Sequence, residues 1–233
     1  MPAFQLAWEQ EADAVELDIL LTKDGRIVAF HDDTTRRIAR VRRRVDDQSL
    51  DELRALDAGA WKDARWKGVQ IPTLEEVLAA LPDGKRLFIE IKCGAEVLPA
   101  LGRALKASGK TARQIVIIGF DLETMKQAKV QFPDLPACWV ASPKTCSFGR
   151  LPSVASLIAR AKSANLDGLD VDVRFAIDGK FVSQVKDAGL KLYVWTVNNV
   201  AVARKLAALR VDGVTTNRPL FLREQLRAEM PRR

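Results

Sequence analysis

Short apolar runs alternate with amphipathic stretches along almost the whole chain. Seven runs read as strands: residues 14–21, 86–91, 114–120, 136–141, 167–173, 191–197 and 211–216. The stretches between them carry helical spacing and helical punctuation. "TLEEVLAALP" opens on Thr73 with Glu76 three residues on, the pattern of a capping box. "AEVLPALGRALKASG" closes on Gly109 just after a basic last turn, as a helix C-cap should. "DLETMKQAKVQF" starts at the N-cap candidate Asp121 and is stopped by Pro133, which cannot continue a helix. "SVASLIARAKSAN", "KFVSQVKDAGL", "VAVARKLAALR" and "PLFLREQLRAEM" continue the same rhythm.

Strand and helix alternating in this way imply parallel strands joined by helical crossovers, with both sheet faces covered. A helical fragment, Met1 to Glu11, precedes the first strand and has no strand before it. The expected fold is therefore α/β, a (β/α)8 barrel lacking its first strand. An open doubly wound sheet is the competing architecture, although no Gly-rich dinucleotide loop follows any strand. Neither a linker nor an internal repeat is visible, which makes residues 1–233 a single expected domain. The rhythm breaks once. "TKDG" at 22–25 reads as a tight turn into the short strand "RIVAFHD", after which residues 32–72 run long and polar. A segment of that length in a compact domain is usually an insertion at the mouth of a site. Within it, "LDELRALDAGAW" predicts a short helix ending at Gly59.

Composition narrows the class. With 48% hydrophobic and 29% charged residues, the chain can bury a large core and is neither disordered nor a membrane protein. No apolar run approaches the roughly 20 residues of a membrane span. The N-terminus has no basic region followed by an apolar one, which reads as cytoplasmic provided that Met1 is the true start. Cys93, Cys138 and Cys146 are odd in number and at no metal spacing, so a reduced interior is expected. Much of the net charge of +7 comes from "RRIARVRRR", Arg36 to Arg44. That run is either a solvated loop face or a steering patch for an anionic substrate, nucleic acid or membrane surface. No aromatic residue interleaves with it, so no nucleic-acid partner is expected. The oligomeric state is left open.

The chemistry sits on the strands. Glu16 and Asp18 are two apart, so both project from one face while Val15, Leu17 and Ile19 take the other. "IEIK" repeats the arrangement with Glu90 and Lys92. Three carboxylates with no sulfur or imidazole cluster suit a hard, oxygen-seeking ion such as Mg²⁺ or Ca²⁺. Lys92 could hold a phosphate as a point charge. The alternative is a structural ion network in the core. Asp170 and Asp172 offer the same spacing, as a competing metal site or as cap and loop residues leading into "RFAIDG". Trp195 ends a strand, where it lines a pocket or packs the core. His31 is the only histidine in the chain and follows an apolar strand.

These segments, taken in order, resemble the glycerophosphodiester phosphodiesterase family. "ADAVELDILLTKDGRIVAFHDD" is similar to its glutamate-x-aspartate strand, turn and second catalytic histidine. "LRALDAGAWKDARWKGVQIPTLEEVL" is similar to its insertion and following helix, and "FIEIK" to its third metal-ligand strand. "GLKLYVWTVNN" and "DGVTTNRP" resemble its last two strands. The resemblance implies a TIM barrel of the phospholipase-C-like phosphodiesterase type with an insertion after strand two. It implies Glu16, Asp18 and Glu90 as divalent-metal ligands and His31 as one half of an acid–base pair. Lys92 becomes a phosphate contact and Trp195 a substrate-pocket wall. The implied reaction is metal-assisted cleavage of a small-molecule glycerophosphodiester to sn-glycerol 3-phosphate and an alcohol.

The family's first histidine belongs to a histidine-arginine-glycine motif on strand one, and the sequence opens where that motif would end. Two expectations follow: the natural protein is longer than this sequence, or the chain is a degenerate member that binds metal or phosphate ester without turnover. Without strand one, strands 14–21 and 211–216 would present unpaired edges. Smaller departures are Asn217, where aspartate is common, and Cys93, where proline is common.

Overall fold

A computed structural model describes residues 1–40, 42–143 and 152–227, so Cys146 lies outside the described residues. Helix α1 (Pro2–Glu9) opens the chain. Two compact units are distinguished: Met1–Ala3 with Ala14–Val116, and Phe4–Asp13 with Ile117–Arg233.

In the first unit, β1 (Ala14–Leu21) runs parallel to β3 (Arg86–Ile91) and antiparallel to the short β2 (Ile27–Ala29). The β1–β2 turn is the expected "TKDG": Gly25 takes φ 73°, and its N–H donates to the Thr22 carbonyl at 2.9 Å. The expected bare edge of strand 14–21 is in part covered, because β2 pairs with Ile19, Leu20 and Leu21. α4 (Leu74–Ala80) starts on the predicted capping box, with Thr73 and Glu76 each bonded to the other's backbone. α5 (Leu98–Ser108) follows a 3₁₀ turn and stops at Gly109, which adopts the left-handed conformation.

Between β2 and α4 the insertion folds around its own small core. Leu20 and Val28 from the hairpin meet Val45, Leu50, Leu53 and Ile71, all buried, with Phe30, Ile38, Leu56 and Ala58 packed alongside. Burying side chains of this size stabilises by about 1.5–3 kcal/mol each. α2 (Arg36–Ala39) and α3 (Leu50–Arg54) are its helices. α3 begins on a Ser49–Glu52 capping box and ends at Arg54, not at Gly59 as the sequence suggested. The reason is Asp57. Its carboxylate accepts from the N–H groups of Gly59 and Ala60 at 2.9 Å and of Gly68 at 2.8 Å, which turns the chain away from the helix axis. Those bonds hold Asp57 below the usual carboxylate range.

β4 (Ile115–Gly119), which enters the second unit at Ile117, then β5 (Ala137–Ala141), β6 (Gly168–Asp172), β7 (Lys191–Trp195) and β8 (Gly213–Val214) pair in that order, all parallel. α6 (Leu122–Gln131), α7 (Val154–Ser163), α8 (Gly179–Asp187), α9 (Val200–Ala208) and α10 (Pro219–Arg227) alternate with them. Asp121, Ser153, Asp178 and Asn199 cap α6 to α9 through their side chains. β4, β5 and β6 are buried at every position, the signature of parallel strands covered on both faces.

Gly59 is the insertion's tightest point. A Cβ there would lie 1.9 Å from the Trp66 carbonyl oxygen, which is backbone and cannot swing aside. Gly59→Ala is therefore expected to destabilise by about 2–4 kcal/mol, seen as a lower urea midpoint. An unchanged midpoint would show that the Trp66 turn is free to move.

Candidate functional site

The β1–β3 register decides which side chains meet. Asp18 stands opposite Glu90, and Glu16 opposite Phe88. The intervening Leu17, Ile19, Ile89 and Ile91 are buried, so the hydrophobic set turns the acids to the other face. Carboxylate oxygens of Glu16, Asp18 and Glu90 lie within 4.8 Å of one another, the one such cluster among the described residues. Lys92 reaches into it, its Nζ 3.2 Å from Glu90 Oε1 and 3.5 Å from Asp18 Oδ1. The expected ion network and the expected acidic cluster are thus the same residues. Lys92 brings one ammonium to a group of three carboxyls.

Burial is the largest influence on both inner acids. It raises Asp18 above the ordinary carboxylate range, with Lys92 and then His31 opposing. It raises Glu90 too, offset in part by Lys92 and reinforced by the Asp18 charge. For Lys92, burial works against the charge, but Glu90 and Asp18 outweigh it and its pKa goes up. Crowded, desolvated carboxyls with only oxygen donors fit a hard divalent cation, which would favour their charged forms. Sulfur or nitrogen ligands are absent from the cluster, which disfavours a soft metal.

His31 is delivered by the hairpin. Phe30 N–H donates to the Asp18 carbonyl at 2.9 Å, fixing the chain where it leaves β2, and His31 is the next residue. Its ring is largely exposed, and Nδ1 lies 2.8 Å from Asp32 Oδ1. Asp32 in turn accepts from Arg37 Nε at 2.6 Å, and that bond lowers its pKa. An ionised Asp32 can only accept, so Nδ1 carries the hydrogen and Nε2 is left to take or give a proton. The sequence singles out His31 but not its support. Asp32 was visible as the next residue, whereas Arg37 was hidden inside a basic run.

Trp195 lies in the second unit, half-buried at the end of β7. Its Nε1 donates to the Asp170 carbonyl at 3.2 Å, and its ring stands edge-on to Phe120 at 5.8 Å. Asp170 and Asp172 are not the cap or loop residues that "RFAIDG" suggested. Both are buried inside β6, because that strand is covered on both faces. Asp172 is engaged by the Arg174 guanidinium through two bonds, and neither acid joins the carboxylate cluster. Cys93 is partly buried beside the Ile19 carbonyl, and burial pushes its thiol up to about 11, so it is unreactive at neutral pH. No described helix is long and apolar enough to cross a membrane.

Parallel strands carry the clustered carboxyls and Lys92, and the adjoining hairpin carries His31 against Asp32, which defines a class: an α/β protein with an oxygen-donor cluster of the kind that fits a hard cation. Comparison with known proteins supplies the family. The model of the glycerophosphoryl diester phosphodiesterase family matches residues 1–220. A glycerophosphodiester phosphodiesterase of Caldanaerobacter subterraneus is 30% identical over 226 residues, covering 93% of this chain and 87% of that protein. One from Bacillus subtilis is 28% identical, covering 93% of this chain and 78% of that protein. A phosphodiesterase of Oleispira antarctica, solved in complex with the product sn-glycerol-3-phosphate, superimposes with a TM-score of 0.85. It is 28% identical, covering 95% of this chain and 88% of that one. The Thermotoga maritima glycerophosphodiester phosphodiesterase gives a TM-score of 0.76 at 25% identity, covering 96% of this chain and 89% of that one. The chain belongs to the glycerophosphoryl diester phosphodiesterase family and has its TIM-barrel type of α/β fold.

The raised acids have a cost that can be measured without substrate. A carboxyl whose folded pKa lies above its unfolded value destabilises the fold as pH rises from the unfolded pKa through the folded one, and the loss is complete above that. Asp18 is of this kind. In chelator, Asp18→Asn is expected to be more stable than the native chain at pH 7–8 and to lose that advantage below about pH 4. Thermal unfolding across pH checks it. An Asp18→Asn protein less stable at pH 7 would mean that the Lys92 contact outweighs the burial.

Proposed function

We propose that this chain hydrolyses glycerophosphodiesters to sn-glycerol 3-phosphate and an alcohol, with Mg²⁺ or Ca²⁺ held by Glu16, Asp18 and Glu90. The observation that carries the reading is the carboxylate cluster with Lys92 seated in it, in a chain of this family. The product-bound Oleispira relative supports the substrate class.

A divalent ion in such a site polarises phosphoryl oxygens and screens the charge of the acids. The chain's own residues do the rest. Lys92 offers its ammonium to a non-bridging phosphate oxygen, and the flanking Asp18 and Glu90 hold it in place. His31 exchanges a proton at Nε2 while Asp32 holds Nδ1. Trp195, half-buried at a strand end, is the proposed wall for the organic part of the substrate. In the overall reaction one P–O ester bond breaks and one forms to a water oxygen, with the water's second proton ending on the departing alcohol.

A second reading is favoured by one observation. His31 is the sole histidine of the sequence, so no second imidazole is present to complete an acid–base pair. On that reading, metal and phosphate ester bind without turnover.

Release of sn-glycerol 3-phosphate from glycerophosphocholine, with Mg²⁺ and with Ca²⁺, distinguishes the two. Turnover is expected with at least one ion, falling by about 10²–10³-fold in Glu90→Gln and 10²–10⁴-fold in His31→Asn. Calorimetric metal binding without product formation would instead establish the second reading.

A further inference from the structure

The insertion carries a surface that the reaction does not use. Six arginines lie between Arg36 and Arg44. Three are ion-paired: Arg37 with Asp32, Arg43 with Glu52 and Arg44 with Asp46. The guanidinium groups of Arg36, Arg40 and Arg42 are exposed and have neither ion pair nor hydrogen bond among the described residues. Beside this run stand two exposed tryptophans, Trp61 at 46% and Trp66 at 37% of full accessibility. The sequence separates them from the arginines, but the fold does not. Arg37 lies over the Trp61 ring, 4.7 Å from its centroid, which brings the basic helix α2 against the tryptophan turn. Lys62 and Lys67, the residues that follow the two tryptophans in the chain, are exposed.

We propose that this surface docks on an anionic phospholipid bilayer. Large exposed indoles beside a basic run match the membrane interface, where an apolar ring enters the headgroup region and basic groups meet lipid phosphates. The Trp61 N–H is turned inward, donating to the Ala58 carbonyl at 2.9 Å, so the exposed part of that ring is its hydrocarbon portion. Charge complementarity favours an anionic partner, because Arg36, Arg40 and Arg42 are exposed and, among the described residues, no acid is ion-paired with them. Single-stranded nucleic acid fits less well. Bases stack on open aromatic faces, and here Arg37 already lies over one face of Trp61 and Arg65 over one of Trp66. The turn is also rigid enough to present the rings, pinned by the three Asp57 bonds and by the small core beneath.

The test is sedimentation of the full chain with vesicles. Phosphatidylcholine alone is compared with phosphatidylcholine containing about one third phosphatidylglycerol, at low and at high salt. Binding to the anionic vesicles only, weakened by salt, is expected. Arg36→Gln/Arg40→Gln/Arg42→Gln should lower the partition coefficient about a hundredfold, at roughly fivefold per arginine. Trp61→Ser should remove the part of the binding that survives high salt. All four positions are exposed, and unchanged near-ultraviolet circular dichroism confirms that the variants fold. Unchanged hydrolysis of soluble glycerophosphocholine by the arginine variant would separate this surface from the active site. Three results would overturn the proposal: no sedimentation at low salt, equal binding to neutral vesicles, or binding to a single-stranded oligonucleotide with none to vesicles.

Discussion

Everything at the candidate site depends on the register between β1 and β3. Asp18 faces Glu90 only because Leu17, Ile19, Ile89 and Ile91 are buried on the opposite side. A slip of one residue would carry those apolar groups out of the core and the acids into it. The hydrophobic pattern is thus a positioning device for charge. It holds two half-desolvated carboxyls side by side, and the Lys92 ammonium between them offsets part of the cost of burying them.

The hairpin formed by β1 and β2 links that pair to the rest of the first unit. Its Leu20 and Val28 enter the small core under the insertion. Its other side carries Asp18, and the Phe30–Asp18 backbone bond sets where the chain departs. His31 therefore takes its place from two neighbours at once, the strand that carries the acids and the insertion that packs the hairpin. Asp32 and Arg37 then orient the ring from the insertion's first residues.

Much of this was legible in the sequence, for a physical reason. Parallel strands buried on both faces read as apolar runs, so the strands at 14–21 and 86–91 emerge with the boundaries expected, and the others shorten by one to four residues. An acid interrupting such a run is costly unless it has work to do, which is why Glu16, Asp18 and Glu90 stood out. The carboxylate cluster was readable because strand periodicity is local. What depended on long-range contact was not readable. The Asp57 bonds that end α3 early reach across eleven residues to Gly68. The Arg37–Trp61 contact brings together segments that the sequence keeps apart. Asp170 and Asp172 misled because their spacing copies Glu16 and Asp18. The difference lies in the neighbours: Arg174 folds back on Asp172, and among the described residues no third carboxylate converges.

Arg37 deserves to be seen as a junction, since one guanidinium serves two surfaces. Through Nε it holds Asp32, the residue that fixes the tautomer of His31. Through its plane it covers Trp61 on the exposed turn. An arginine can do both because its charge is delocalised over a flat group that bonds at the edge and stacks on the face. A lysine, as a hydrated point charge, would have to give up one contact to make the other. The basic run is therefore not uniform: Arg43 and Arg44 are tied to acids of the insertion, Arg36, Arg40 and Arg42 face solvent, and Arg37 connects Asp32, the partner of His31, to the tryptophan beside them.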